Sequence, residues 1–346
     1  MLDSVQEAYD MAELSLVTGG AGFIGSHLVD HLVWSGRTVR VLDDFSTGLR
    51  SHLAHHDSQI ELVEGSLTEP TTVERAVRDV TTIYHLGALA SVARSVENPA
   101  VSHAACATGT LLLLDAARKQ GVRRVVYAAS SSAYGGASGE GGQTEDQLPR
   151  ANSPYAAAKL AGEFYLQAFA ATYGLETVRL RFFNIFGPRQ RSDSPYSGVI
   201  ALFLAAMTRG EAPTIHGDGL QSRDFTFVEN AVQALRKAAD APAERVSGNV
   251  YNVGTGRSVT VLDLVAGLNR ILGTSLRPTH GPERAGDVRY SRADITRTHQ
   301  DLGYDPQVTF EDGLEQTVRW SRDRQLDRGR PIGVSRMDAA VSRGLR

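Results

Sequence analysis

At 346 residues, 42% hydrophobic and 22% charged with a formal net charge of -3, the chain can bury a sizeable core in one large or two moderate domains, and it has no global attraction for nucleic acid. A single cysteine, Cys106, excludes an intramolecular disulfide and a cysteine-rich zinc cage, and ten histidines fall at no H-E-x-x-H-like spacing, so no metal site is expected. No apolar run approaches the length that spans a bilayer, and residues 1–13 lack the basic-then-apolar order of a signal peptide; the expected location is cytoplasmic, without a membrane partner.

In chain order, residues 1–12 read as an extension, since Met11 could itself be a natural start. Leu14 to Thr18 is a short apolar run, read as a buried strand, and it breaks into Gly19, Gly20, Ala21, Gly22, Phe23, Ile24 and Gly25. After it Ile24, Leu28, Leu32 and Val33 recur at helical spacing. Strand, glycine turn and helix form the context of a phosphate-binding fingerprint: Gly19 and Gly22 let the backbone turn tightly towards a pyrophosphate, and Gly25 lets helix pack on strand. Glycines also make plain turns, but a second strand, Thr38 to Leu42, ends in Asp43, about twenty residues on, where a carboxylate accepts hydrogen bonds from an adenosine ribose. An acid there repels a ribose 2′-phosphate, so the expected cofactor is NAD rather than NADP.

Further apolar runs at Ile60 to Val63, Ile83 to Leu86, Val125 to Ala129 and Val178 to Leu180 alternate with helical patterns, Thr110 to Ala117 being the clearest. Strands separated by helices imply βαβ units, hence an α/β, Rossmann-type, doubly wound parallel sheet with its ligand at the carboxyl ends of the strands. Gly19, Asp43, Gly87 and Ser130 all fall at such ends. Beyond Ser130, Ser153 and Pro154 mark a helix start, as N-cap and first helical residue. Tyr155 and Lys159, four apart, then share one helical face. A cation beside a phenol stabilises the phenolate, so the pair is suited to acid–base work, although Tyr and Lys at this spacing are also ordinary helix surface.

The ordered motifs resemble those of extended short-chain dehydrogenase/reductases, the NAD-dependent epimerase/dehydratase group, and among them UDP-sugar 4-epimerases, in particular those acting on UDP-N-acetylglucosamine. They are Thr18 to Gly25, Asp43 with Ser46-Thr47-Gly48, His85-Leu86-Gly87-Ala88, the serine run ending at Tyr134-Gly135, and Tyr155 with Lys159. Arg181-Phe182-Phe183-Asn184, Gly187-Pro188-Arg189-Gln190, Gly217-Asp218-Gly219, Arg223-Asp224-Phe225 and Arg284 to Asp287 complete the order.

The resemblance implies that Tyr155 is the base, that Lys159 holds the nicotinamide ribose and depresses the tyrosine, and that Ser130 bonds the reacting hydroxyl. For the cofactor it implies Gly19, Gly22, Phe23, Ile24, Gly25, Asp43, Ser46, Gly48, Ser66, Leu67, Leu86, Gly87 and Ala88. For a UDP-sugar it implies Ser132 and Asn184, with Arg223 and Arg284 at the pyrophosphate, where a guanidinium fork matches phosphate, and Asp287 at the uridine ribose. Ser291 matches a gatekeeper that is bulky in enzymes restricted to glucose and galactose and small in those admitting N-acetylated sugars; it also reads as a small residue in a strand. Asp224 is either a ligand residue or a structural partner for a nearby cation. Ser131 and Ser132 stand where the dehydratases have two acids, which argues against a 4,6-dehydratase.

Three departures from the pattern are Ser66 for an aspartate near the adenine, Cys106 for an asparagine, and Gly87 for an alanine. The expected division is residues 1–184 for NAD, 185–320 as a smaller α/β lobe for the nucleotide sugar with segments returning to the first domain, and 321–346 as a basic surface tail. The resemblance also implies a homodimer. Rival readings are epimerisation of UDP-glucuronate, a reductase or dehydratase reaction, and a sensor that binds NAD(P) without turnover.

Overall fold

The computed structural model describes residues 13–137, 139, 141–192, 198–283 and 288–329. Strands β1 (Leu14–Thr18), β2 (Thr38–Asp43), β3 (Ile60–Glu64), β4 (Thr82–His85), β5 (Arg124–Ser130), β6 (Glu176–Phe182) and β7 (Asn249–Val253) form one parallel sheet in the order β7-β6-β5-β4-β1-β2-β3. The strand order reverses at β1, between β2 and β4, so a crevice opens at the carboxyl ends of β1 and β4. One face of the sheet packs Val17, Leu28, Val126, Leu180 and Tyr251, and the other packs Leu16, Ile83, Leu113, Val125 and Leu166, as apolar runs buried on both sides require.

Six strands lie within two residues of the sequence reading; β7 was not read. Its sequence, Asn-Val-Tyr-Asn-Val, places a polar residue where a buried strand should be apolar. Asn252 is nevertheless fully buried: it accepts from Tyr134 Oη at 2.6 Å and donates to the carbonyls of Gln143 at 2.7 Å and Asp294 at 3.1 Å. With its hydrogen bonds met, a buried amide costs little.

Beyond β6 the chain leaves for a second lobe whose core gathers Phe186, Phe203, Phe225, Phe227, Leu264 and Leu314. It returns to the sheet through the helix Val228–Asp240, whose Ala231, Leu235 and Ala238 join the first core, and through β7. The last helix, Phe310–Gly329, runs on past residue 320, where a tail was expected to begin. Residues 1–12 and 330–346 lie outside the described residues.

A helical stretch from Pro99 to Lys119 is long and apolar enough, by length and composition, to cross a bilayer, contrary to the expectation that no run would be. Half of its apolar window is buried in the protein, where it packs on the helices Pro70–Val77 and Pro154–Tyr173. A π turn at Ala104–Thr108 interrupts its period, which is why only Thr110 to Ala117 read as helix.

Candidate active site

The glycine turn is locked by close approach. Gly19 sits at φ +69°, and a Cβ there would lie 2.8 Å from the Gly87 nitrogen; one at Gly25 would lie 2.1 Å from the Gly19 carbonyl oxygen. Gly22 ends the turn as N-cap of the helix Phe23–Trp34, and no side chain caps that end. Its N-terminal amides are therefore left to an anion. Phe23 and Ile24 are half-buried beside it.

Asp43 accepts from the Ala21 amide at 2.9 Å and the Phe45 amide at 2.9 Å, so it fixes the glycine turn. Burial pushes its carboxyl above the usual range, opposed by those two amides. Each oxygen keeps a lone pair for a hydroxyl. Gly48 presses on Asp43, since a Cβ there would lie 2.9 Å from Oδ1, whereas Ser46 turns away to bond Asp44.

The floor of the crevice is a buried chain of hydrogen bonds. Thr110 donates to the Cys106 carbonyl at 2.7 Å, so it accepts from His85 Nε2 at 2.9 Å; His85 Nδ1 then accepts from Thr18 Oγ1 at 2.8 Å, and Thr18 accepts from the Gly87 amide at 3.0 Å. The count leaves His85 one proton, and burial pushes its imidazole down to about 3, in agreement. Gly87, where the resemblance leads us to expect an alanine, leaves room for Leu67, whose Cδ1 would lie 2.5 Å from a Cβ there. Leu86 and Ala88 flank it, half-buried, while Ser66 bonds Thr68 at 2.9 Å across the turn after β3.

Above this floor stand the groups suited to chemistry. Ser153 caps the helix Pro154–Tyr173 by accepting from Ala156, as its Ser-Pro start requires. The Tyr155 amide is held by Ser95 Oγ at 3.0 Å, and its phenol interacts with Ser130 at the end of β5. Ser132 donates to Ser130 at 2.8 Å, leaving the Ser130 hydrogen to be directed outward. Lys159, 3% exposed, lays its ammonium over the Tyr127 ring at 4.1 Å. Burial pushes Lys159 down to about 8. Burial also pushes the Tyr155 phenol up, and only the Ser130 contact opposes it. The depression of the phenol by Lys159 that the resemblance implied is not among the influences on Tyr155 here, where loss of solvent dominates.

In the second lobe Asn184 turns the chain at φ +37°, its carbonyl accepting from Thr226 at 3.2 Å. Arg223 lies in register with Ser291, which is 9% exposed, in a small sheet of Ser222–Arg223, Val259–Thr260 and Tyr290–Ser291. Arg284 and Asp287 lie outside the described residues. Asp224 meets no cation among the described residues: it accepts from the amides of Thr255, Gly256 and Ala293 at 2.8, 3.0 and 3.1 Å, a buried junction between two loops. Sequence reading missed Ser95, Tyr127 and Glu163; only Glu163, four residues after Lys159 on the same helical face, carried a signal.

Residues 15–254 match the NAD dependent epimerase/dehydratase family. The chain belongs to that family. A UDP-glucose 4-epimerase of Mycolicibacterium smegmatis is 37% identical, covering 90% of this chain and 99% of the relative. Among solved structures, a UDP-N-acetylglucosamine 4-epimerase of Methanobrevibacter ruminantium in complex with UDP-N-acetylmuramic acid superposes at a TM-score of 0.85, with 34% identity and coverage of 90% and 99%. The UDP-glucose 4-epimerase of Thermus thermophilus in complex with NAD superposes at 0.83, with 34% identity and coverage of 89% and 99%. This epimerase/dehydratase is therefore an NAD-dependent enzyme of the extended short-chain dehydrogenase/reductase type. Its uncapped helix end, its side-chain-free glycine cradle and the carboxylate of Asp43 fit a dinucleotide.

Proposed function

We propose that the chain is a cytoplasmic UDP-sugar 4-epimerase that interconverts UDP-N-acetylglucosamine and UDP-N-acetylgalactosamine, with the UDP-glucose and UDP-galactose pair as further substrates. The observation that carries the reaction is the meeting of Ser130 and the Tyr155 phenol beside the glycine cradle. When bound, NAD supplies the hydride acceptor and donor at the sugar C4. Tyr155 takes the proton of the 4-hydroxyl and later gives it back, and Ser130 holds that oxygen in line. Lys159 presents its charge to the nicotinamide ribose. Inversion needs the 4-keto sugar to offer its other face, so binding should be concentrated on the UDP: Arg223 and Arg284 at the pyrophosphate, Asp287 at the uridine ribose, Asn184 at phosphate or sugar, with Ser132 loosely at the ring.

Incubation with each UDP-sugar, following product identity and cofactor absorbance together, tests the reading. Interconversion without net cofactor reduction is expected; net oxidation, loss of carbon dioxide or no turnover would overturn it. Ser291 supports the acetylated pair, because a small side chain opposite Arg223 leaves room for an acetamido group. Ser291→Tyr should abolish activity on the acetylated pair and spare UDP-galactose, and equal loss of both would remove the gate.

The pH profile is a further check. Lys159 carries its proton below about 8 and loses it above, so kcat should fall as pH rises through that value. A profile flat across this range would show that its charge is not needed. A homodimer is proposed on the exposed Val96, Val101 and Phe164, which lie on three helices packed side by side.

A further inference from the structure

Away from the cleft, the helix Phe23–Trp34 carries a buried carboxylate, Asp30, facing two consecutive histidines of the short helical segment Ala54–His56. Its Oδ1 lies 2.8 Å from His55 Nε2 and 3.1 Å from His56 Nε2, and the three donor atoms fall within 4.8 Å of one another. The other oxygen, Oδ2, is held by Arg189 at 2.7 Å, which fixes the carboxylate and leaves Oδ1 to the imidazoles.

We propose that Asp30, His55 and His56 bind a late first-row divalent cation, zinc foremost, outside the active site. Imidazole and carboxylate donors suit that class of ion. Tetrahedral zinc, with bonds of about 2.0–2.2 Å, sets its donors about 3.3–3.6 Å apart. The separations of 2.8 and 3.1 Å therefore need to open by about 0.2–0.8 Å, and the two imidazole nitrogens, within 4.8 Å of each other, need to settle at the same spacing. His55 is 42% exposed on its side chain, against 5% for Asp30 and 3% for His56, so an ion has a way in and a fourth position for water.

The surroundings are those of ligands. His56 Nδ1 lies 3.1 Å from Gln59 Oε1, so the ring's second nitrogen is fixed by an acceptor, as outer partners of metal-bound histidines do. Both nitrogens of His56 thus face oxygen acceptors, and a neutral imidazole has one N–H to offer. A cation on Nε2 closes that count. A bound ion would join the first helix to the Ala54–His56 segment and, through Arg189, to the loop that leads into the second lobe.

Equilibrium dialysis of untagged, chelator-stripped full-length protein against zinc tests this without any substrate. One equivalent should bind, and cobalt in its place should give the visible absorption of a four-coordinate site. His55→Ala, at an exposed position, should abolish both. Gln59→Leu should weaken zinc about 10- to 100-fold, as loss of an outer partner does. His280→Ala, at an exposed histidine of the other lobe, should change nothing. Zinc should also raise the unfolding temperature with its concentration in the parent protein and not in His55→Ala. No uptake at micromolar zinc, or uptake whose affinity His55→Ala leaves unchanged, would overturn the site and leave a hydrogen-bonded cluster only.

Discussion

Tyr155→Phe is expected to lower kcat on the UDP-sugar about 10²- to 10⁴-fold, the usual contribution of a positioned acid or base, with nucleotide-sugar affinity little changed. The substitution removes one oxygen. The Tyr155 amide, held by Ser95, and the Ser153 cap are backbone features that phenylalanine keeps, so helix and cleft should survive. What is lost is the group that meets Ser130 and exchanges the proton. Burial holds that proton on the phenol in the resting protein, so the rare ionised form of Tyr155 is a strong base for the 4-hydroxyl proton. Single-turnover kinetics with bound cofactor would separate the chemical step from binding. A fall in affinity equal to the fall in rate would mean that Tyr155 binds the sugar rather than reacts with it.

The sheet was legible because its strands are fully buried and read as plain apolar runs, and the glycine turn because close approach admits no side chain at Gly19 or Gly25. The Ser153-Pro154 start placed Tyr155 and Lys159 in the first turns of the helix where they lie. Properties that belong to three dimensions were not legible. Periodicity could not show that Asn252 in β7 is satisfied by Tyr134 and two carbonyls, nor that Asp224 would meet amides rather than a cation. Spacing could not give the solvent around Tyr155 and Lys159, and solvent decides the direction in which each titrates. The approach of Asp30 to His55 and His56 is also invisible in one dimension, because it crosses from a helix to a separate turn.

Glu163→Ala should destabilise the fold by about 3–5 kcal/mol, the cost of leaving one partner of a buried ion pair alone. Glu163 and Arg181 are 1% and 3% exposed, and their oxygens and nitrogens meet at 2.7, 3.0 and 3.2 Å. The Arg181 guanidinium also covers the Tyr134 ring at 4.7 Å. The pair thus joins the helix of Tyr155 and Lys159 to β6 and to the turn that follows Ser130. Replacing both residues with methionine leaves no charge unpaired and should cost far less than either single change, a difference read as a shift in the urea midpoint. Glu163 also lies one turn beyond Lys159 and favours its ammonium, while Cys106 acts in the same sense and burial opposes both. His85 and the Tyr127 ring also face Lys159, while Arg179 and Arg181 face Glu163. Glu163→Gln should therefore move the alkaline fall of kcat below about 8, because Lys159 gives up its proton more easily without that carboxylate. If stability drops while the alkaline limb stays in place, the pair only holds the helix; if the limb moves as well, one carboxylate both fixes the position of Lys159 and sets the pH at which it works.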